Sequence, residues 1–143
     1  MQPRDEIDRA TLFAVALIVA VGGLIYELIL GTTASYLWGD SIKSFSLSIG
    51  TTLFGMGLGS IAAIKLQQNS VKNFVRNELV LSLLGGNSVV ILFAAFSLTN
   101  LFTPVFILLS LAIGFTIGLE IPLVMAMAKD HGSKEGINFL SKV

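Results

Sequence analysis

The chain has 143 residues, 54% of them hydrophobic and 13% charged, against about 45–50% apolar and 25% charged in soluble domains, so its composition is that of a membrane protein. Nine basic residues balance nine acidic ones, and with no positive surplus nucleic acid is not an expected partner. Cysteine is absent, which excludes disulfides and thiolate metal sites.

The first ten residues, MQPRDEIDRA, form a short polar tail. The apolar run behind it is longer than the roughly 7–15 residues of a secretory signal core and is followed by no small-residue cleavage site. It therefore reads as a retained membrane helix. Crossing the hydrocarbon takes about 20 apolar residues at 1.5 Å of rise each. Four segments qualify: Thr11–Thr33, Phe45–Leu66, Phe74–Leu98 and Val105–Ala128. The expected fold is an all-α integral membrane bundle of about four transmembrane helices over 11–128, flanked by cytoplasmic tails at 1–10 and 129–143. The second tail holds the single histidine, His131, most simply read as solvated. It turns apolar at INFLSKV, like the approach to a further helix, so the chain reads as part of a larger multi-span domain.

Orientation follows from the basic residues, because positive charge resists translocation. With the N-terminus inside, the inner side collects Arg4, Arg9, Lys65, Lys72, Arg76, Lys129, Lys134 and Lys142, and the outer side holds only Lys43. Tyr36, Trp38 and Phe102 fall in the outer loops, as interfacial aromatics do.

Helices in lipid associate through close van der Waals contact, and small residues at four-residue spacing permit it. The second span offers Gly55 and Gly59, with Thr51 extending the stripe and Gly50, Gly57 and Ser60 beside it. Gly22 and Gly23, Gly85 and Gly86, and Gly114 and Gly118 serve the other spans. The run GMGLGS is not a nucleotide loop: no strand precedes it, the spacing is wrong and no Walker lysine follows.

Two acids lie deep in apolar segments. A charged carboxylate at mid-bilayer costs at least about 2.5–3.5 kcal/mol, so such groups face a bundle interior or a wet cavity. Glu27 stands about six residues, roughly 9 Å, from the outer end of the first span, and Glu120 about eight residues, roughly 12 Å, from the inner end of the fourth. Pro122 has no N–H and frees the carbonyl of Gly118 beside Glu120. Each glutamate admits two readings, a site for a cation or proton, or a protonated group knitting helices together. Glu78, with Lys72 and Arg76 near it, reads as an interfacial ion pair. Asp40, between Gly39 and Ser41, reads as a turn or helix cap, with a lure for cations as the alternative. Asn87 reads as interhelical glue. No catalytic constellation, metal cluster or cofactor loop is expected.

The successive segments YELILGTTASYLWGDS, FSLSIGTTLFGMGLGS, VRNELVLSLLGGNS and IGFTIGLEIPLVM resemble the motifs of the N-terminal membrane domain of bacterial spermidine synthase-like proteins, the membrane-bound polyamine aminopropyltransferases. The resemblance covers residues 22–143. It implies the bacterial inner membrane, further helices, and a soluble Rossmann-like aminopropyltransferase domain using decarboxylated S-adenosylmethionine and putrescine-like acceptors; none of that domain's catalytic residues maps onto this chain. It also implies a membrane part that binds or moves cationic polyamines, with Tyr26, Glu27, Asp40, Ser41, Glu78 and Glu120 as the residues to test. Helix packing is assigned to Gly50, Gly55, Gly59, Gly114, Gly118 and Pro122. The small-residue faces call for partners: more helices of the same protein, its catalytic domain, or a second copy. A piece of a major-facilitator-like transporter and a ligand-free membrane anchor are the competing readings.

Overall fold

The structure, a computed structural model, describes residues 9–98 and 101–140, with the side chains of residues 9, 10, 12 and 130–140, His131 and Lys134 among them, outside the description. The expectations for Arg4, Lys142 and the ends of both tails lie outside the described residues. All secondary structure among the described residues is helical: α1 Arg9–Trp38, α2 Ser41–Ala63, a 3-10 segment Ile64–Asn69, α3 Ser70–Leu98 and α4 Phe102–Leu140. Three helical stretches are long and apolar enough to cross a membrane, Phe13–Trp38, Ser41–Leu98 and Phe102–Lys129.

The helices outrun the apolar segments, because a helix ends where its hydrogen bonds are capped and not where hydropathy falls. α1 runs on to Trp38, so Tyr36 and Trp38 sit in its last turn and not in a loop. There Gly39 takes φ +72°, open to a residue without Cβ, and its N–H donates to the carbonyl of Ser35 at 2.9 Å. Asp40 follows in extended backbone and its carboxylate accepts the N–H of Lys43 at 3.0 Å, an N-cap for α2. The Gly-Asp-Ser turn is thus a helix stop joined to a helix start. α4 passes through Pro122 without a break and continues to Leu140, where a polar tail was expected.

α4 is the central helix: 56% of its most apolar window is buried, against 11% for α1. α2 lies parallel to it, Thr52 beside Gly114 and Met56 beside Gly118. α3 runs antiparallel, with Asn77 donating to the carbonyl of Thr116 at 2.9 Å and Leu92 clustering with Phe102 and Phe106. α1 is antiparallel as well: Gly23 faces Ile117, and the Trp38 ring meets Phe102 and Phe106 edge-on with centroids 5.1 and 5.5 Å away. The 58-residue stretch Ser41–Leu98 therefore reverses direction at the 3-10 segment. α2 and α3 do not pack on each other; both pack on α4.

The α2–α4 seam is the tightest. Ser44, Ser48, Thr52, Gly55, Gly59 and Ala63 form its buried stripe on α2, and a Cβ on Gly55, Gly59, Gly114 or Gly118 would run into the opposite helix's backbone. This is packing by removal of side chains. Gly50 corrects the sequence reading: it is exposed, and open space surrounds the place of its missing Cβ. The stripe runs through Thr52 and not Thr51, which turns Gly50 and Gly57 away from α4. Pro122 costs α4 one hydrogen bond, and the carbonyl it leaves on Gly118 lies 3.1 Å from the hydroxyl of Ser60 on α2, whose single hydrogen it shares with the Met56 carbonyl at 2.9 Å.

Candidate functional site

Between α1 and α4, closed on one side by Met56 of α2, lies a cavity of about 380 Å³ lined by both Glu27 and Glu120, within the range of about 300–1,000 Å³ common for small-molecule sites. The remaining wall is aliphatic, including Gly23, Leu24, Ile117 and Met125. Local sequence explains the shape. Gly118 lets the backbone of α2 approach, which brings Met56 to the cavity, and Gly23 lets α1 settle on Ile117. Glu27 is about eleven residues, roughly 16 Å, from the outer end of α1. The two acids expected at separate depths therefore share one chamber.

Glu120 is 2% exposed. It projects from the most enclosed turn of α4, where residues 116–120 are all buried. On its α3 side stands Glu78, held in register by the adjacent Asn77–Thr116 hydrogen bond. Neither Glu78 Oε1 nor Glu120 Oε1 receives a donor from a serine, an amide or the backbone. Glu78 and Glu120 are near enough for each carboxyl group to act on the other. This corrects the reading of Glu78 as an interfacial ion pair: among the described residues it makes none with Lys72 or Arg76.

The other sequence candidates lie elsewhere. Tyr26, next to Glu27 but about 100° round the helix, lays its ring over Gly85 of α3 and does not line the cavity. Asp40 serves as the α2 cap, and Ser41 shares a hydrogen bond of 2.7 Å with Ser35 across the same turn. Both belong to that turn and neither lines the chamber. Lys43, the lone outer lysine, rests 4.7 Å from the centre of the Trp38 ring. Asn87 is exposed and donates to the carbonyl of Leu83 in its own helix, 2.8 Å away, so it links no helices in this chain. Sequence reasoning passed over Met56 and Met125, whose apolar character gives no signal, and over the Glu78–Glu120 pair, whose members are on different helices.

The arrangement has three acids: Glu27 open to the chamber, Glu120 at its wall, Glu78 behind Glu120. A cation entering the chamber can be held between Glu27 and Glu120 by charge-assisted hydrogen bonds while its carbon chain lies on aliphatic walls. No group of three or more metal-ligating side chains exists among the described residues.

No protein-family model matches the chain, and no solved structure matches it. Among curated proteins it is 43% identical to polyamine aminopropyltransferase 1 of Streptomyces coelicolor over 93% of this chain and 26% of that protein. It is 40% identical to the polyamine aminopropyltransferase of Leptospira interrogans over 85% of this chain and 24% of the relative. With polyamine aminopropyltransferase 1 of Ralstonia nicotianae the identity is 45%, over 92% and 27%. The chain spans about a quarter of the length of these relatives. It is homologous to the polyamine aminopropyltransferases, the spermidine synthase-like proteins, along the quarter of their length that it matches.

Proposed function

We propose that this chain is a membrane-embedded helical domain of a spermidine synthase-like polyamine aminopropyltransferase, resident in the bacterial inner membrane, and that its chamber receives a cationic polyamine. The observation that carries the reading is the shared lining of one cavity by Glu27 and Glu120, in a chain whose relatives carry the name polyamine aminopropyltransferase. Polyamines are flexible chains with cationic nitrogens, and a mostly aliphatic chamber with two acids complements that chemistry.

The membrane placement is supported by the apolar stretches and by the alternating direction of the helices, which puts Lys65, Lys72 and Arg76 at one end of the bundle and Lys43 at the other. Four crossings follow if α2 and α3 each span the bilayer. The exposed aliphatic residues of α1 and α3, such as Ile18, Leu28, Leu83 and Val90, then face lipid or further helices of the same protein. Aminopropyl transfer is assigned to no residue of this chain.

The test is equilibrium dialysis of radiolabelled spermidine against the protein in lipid nanodiscs. Wild type should bind saturably, and Glu27→Gln and Glu120→Gln should each weaken binding at least tenfold while leaving the melting temperature within a few degrees. Unchanged affinity in both variants overturns the polyamine reading.

A further inference from the structure

Resting on the membrane placement but not on the polyamine reading, we propose that a second cavity, between α3 and α4, holds an anionic phospholipid of the inner leaflet, its phosphate against Arg76 and an acyl chain along the cleft.

The cleft has a volume of about 350 Å³ and shares no lining residue with the acid-lined chamber. Two helical stripes build it. Asn73, Arg76, Val80 and Leu84 follow one another at three- and four-residue steps on α3, and Phe115, Leu119 and Leu123 do the same on α4. From Asn73 to Leu84, about three turns on, the α3 wall changes from amide and guanidinium to aliphatic. That gradient is the one a lipid presents, a charged head followed by an apolar chain.

Depth agrees with it. α3 has 29 residues and is about 43 Å long, against a hydrocarbon layer of about 30 Å and about 40–45 Å with the headgroups. Arg76 stands six residues, roughly 9 Å, from the start of α3, at the edge of the hydrocarbon. Side chains on a helix lean toward its N-terminus, which for α3 is the end carrying Lys72 and Lys65. A guanidinium on a long stem therefore reaches the phosphate layer.

The charge on Arg76 has no answer within the chain. It is exposed and makes no hydrogen bond or ion pair among the described residues. The positions one turn from it are Lys72, Asn73, Leu79 and Val80, none of them acidic. Asn73 and Asn77 each donate one amide N–H, to the carbonyls of Leu66 at 2.7 Å and Thr116 at 2.9 Å, and each amide carries a second N–H. The planar fork of arginine matches two phosphate oxygens at once. A polyamine is repelled here. A further helix seated in the cleft would have to bring an acid to Arg76, whereas a phospholipid already carries its phosphate at this depth.

The experiment is native mass spectrometry of the protein released from detergent micelles after equilibration with phosphatidylglycerol or with phosphatidylcholine of the same acyl chains. Wild type is expected to keep one phosphatidylglycerol in preference to phosphatidylcholine. A basic residue at the membrane surface is worth about fivefold in affinity for anionic lipid. Arg76→Gln should therefore lower the preference about fivefold, and Arg76→Gln combined with Lys72→Gln should abolish it. Lys43→Gln, at the opposite end of the bundle, should leave it unchanged. Equal retention of the two lipids by wild type, or a preference that survives in the double variant, overturns the proposal. Displacement of the lipid by inorganic phosphate assigns the site to a free anion, and dimers in place of a lipid adduct assign the cleft to a second copy; either overturns it too. Release of the protein from membranes by alkaline carbonate contradicts the membrane placement itself, and the lipid site falls with it. Arg76→Gln should keep wild-type spermidine affinity in the dialysis assay, so the two cavities are tested independently.

Discussion

Gly114→Ala tests the α2–α4 seam with the smallest possible perturbation. A Cβ at Gly114 would meet the carbonyl oxygen of Thr52, and the Thr52 carbonyl carbon and Cα at 2.9 Å. These are backbone atoms and cannot rotate aside, so α2 must withdraw by roughly 1 Å to restore ordinary contacts of 3.5–4.0 Å. That withdrawal loosens the same close approach at Gly55, Gly59 and Gly118. Overpacking of this kind costs about 1–3 kcal/mol, and the better helix propensity of alanine returns about 0.5–1 kcal/mol. A net destabilisation of about 1–2 kcal/mol follows. Gly50→Ala is the matched control, because nothing lies within 4 Å of its built Cβ; it should keep only the propensity gain. Unfolding by sodium dodecyl sulfate in mixed micelles, followed by Trp38 fluorescence and far-ultraviolet circular dichroism, gives both numbers. Equal effects of Gly114→Ala and Gly50→Ala would refute the assignment of the seam.

Other consequences are equally concrete. Ser60→Ala removes the hydroxyl that reaches the Gly118 carbonyl and should cost about 0.6 kcal/mol, as interhelical hydrogen bonds in membranes do on average. In a Pro122→Ala background, where the backbone N–H of residue 122 can take that carbonyl, the same change should be nearly silent in the double-mutant cycle. Asn77→Ala should cost about 0.6–1.7 kcal/mol by the same unfolding assay. Asp40→Ala should lose about 0.5–2 kcal/mol of helix capping, recovered by Asp40→Asn, and should leave spermidine affinity in the dialysis assay unchanged, because Asp40 caps α2 and does not line the chamber.

Much of the architecture was legible because the governing forces act locally. Apolar runs and the absence of interior proline before Pro122 mark the helices, and Gly39-Asp40 announces a stop and a start through backbone preferences that need no partner. The interior position of Glu120 was legible too, since a carboxyl in an apolar segment demands it, whereas Glu27 is only half-buried. The phase of the glycine stripe was not. Gly50, Gly55, Gly57 and Gly59 permit more than one packing face on α2, and only the positions of Gly114 and Gly118 on another helix select the face through Thr52, Gly55 and Gly59. The carboxyl pair was hidden for a related reason. Glu78 has Lys72 and Arg76 nearby in sequence, but the antiparallel register of α3 on α4, fixed by Asn77 and Thr116, turns it toward Glu120. Local charge patterning saw the neighbours along the chain and not the one across it.

The claim at the centre is that Glu27 and Glu120 open onto one chamber that a polyamine occupies. Labelling of the protein in nanodiscs with an apolar carbodiimide, read by peptide mass spectrometry with and without spermidine, addresses it most directly. The account predicts that spermidine protects Glu27 and Glu120 together, over the same concentration range, and leaves Asp40 unprotected. Labelling of Glu27 and Glu120 that is indifferent to spermidine, or protection of Asp40 alone, would contradict it.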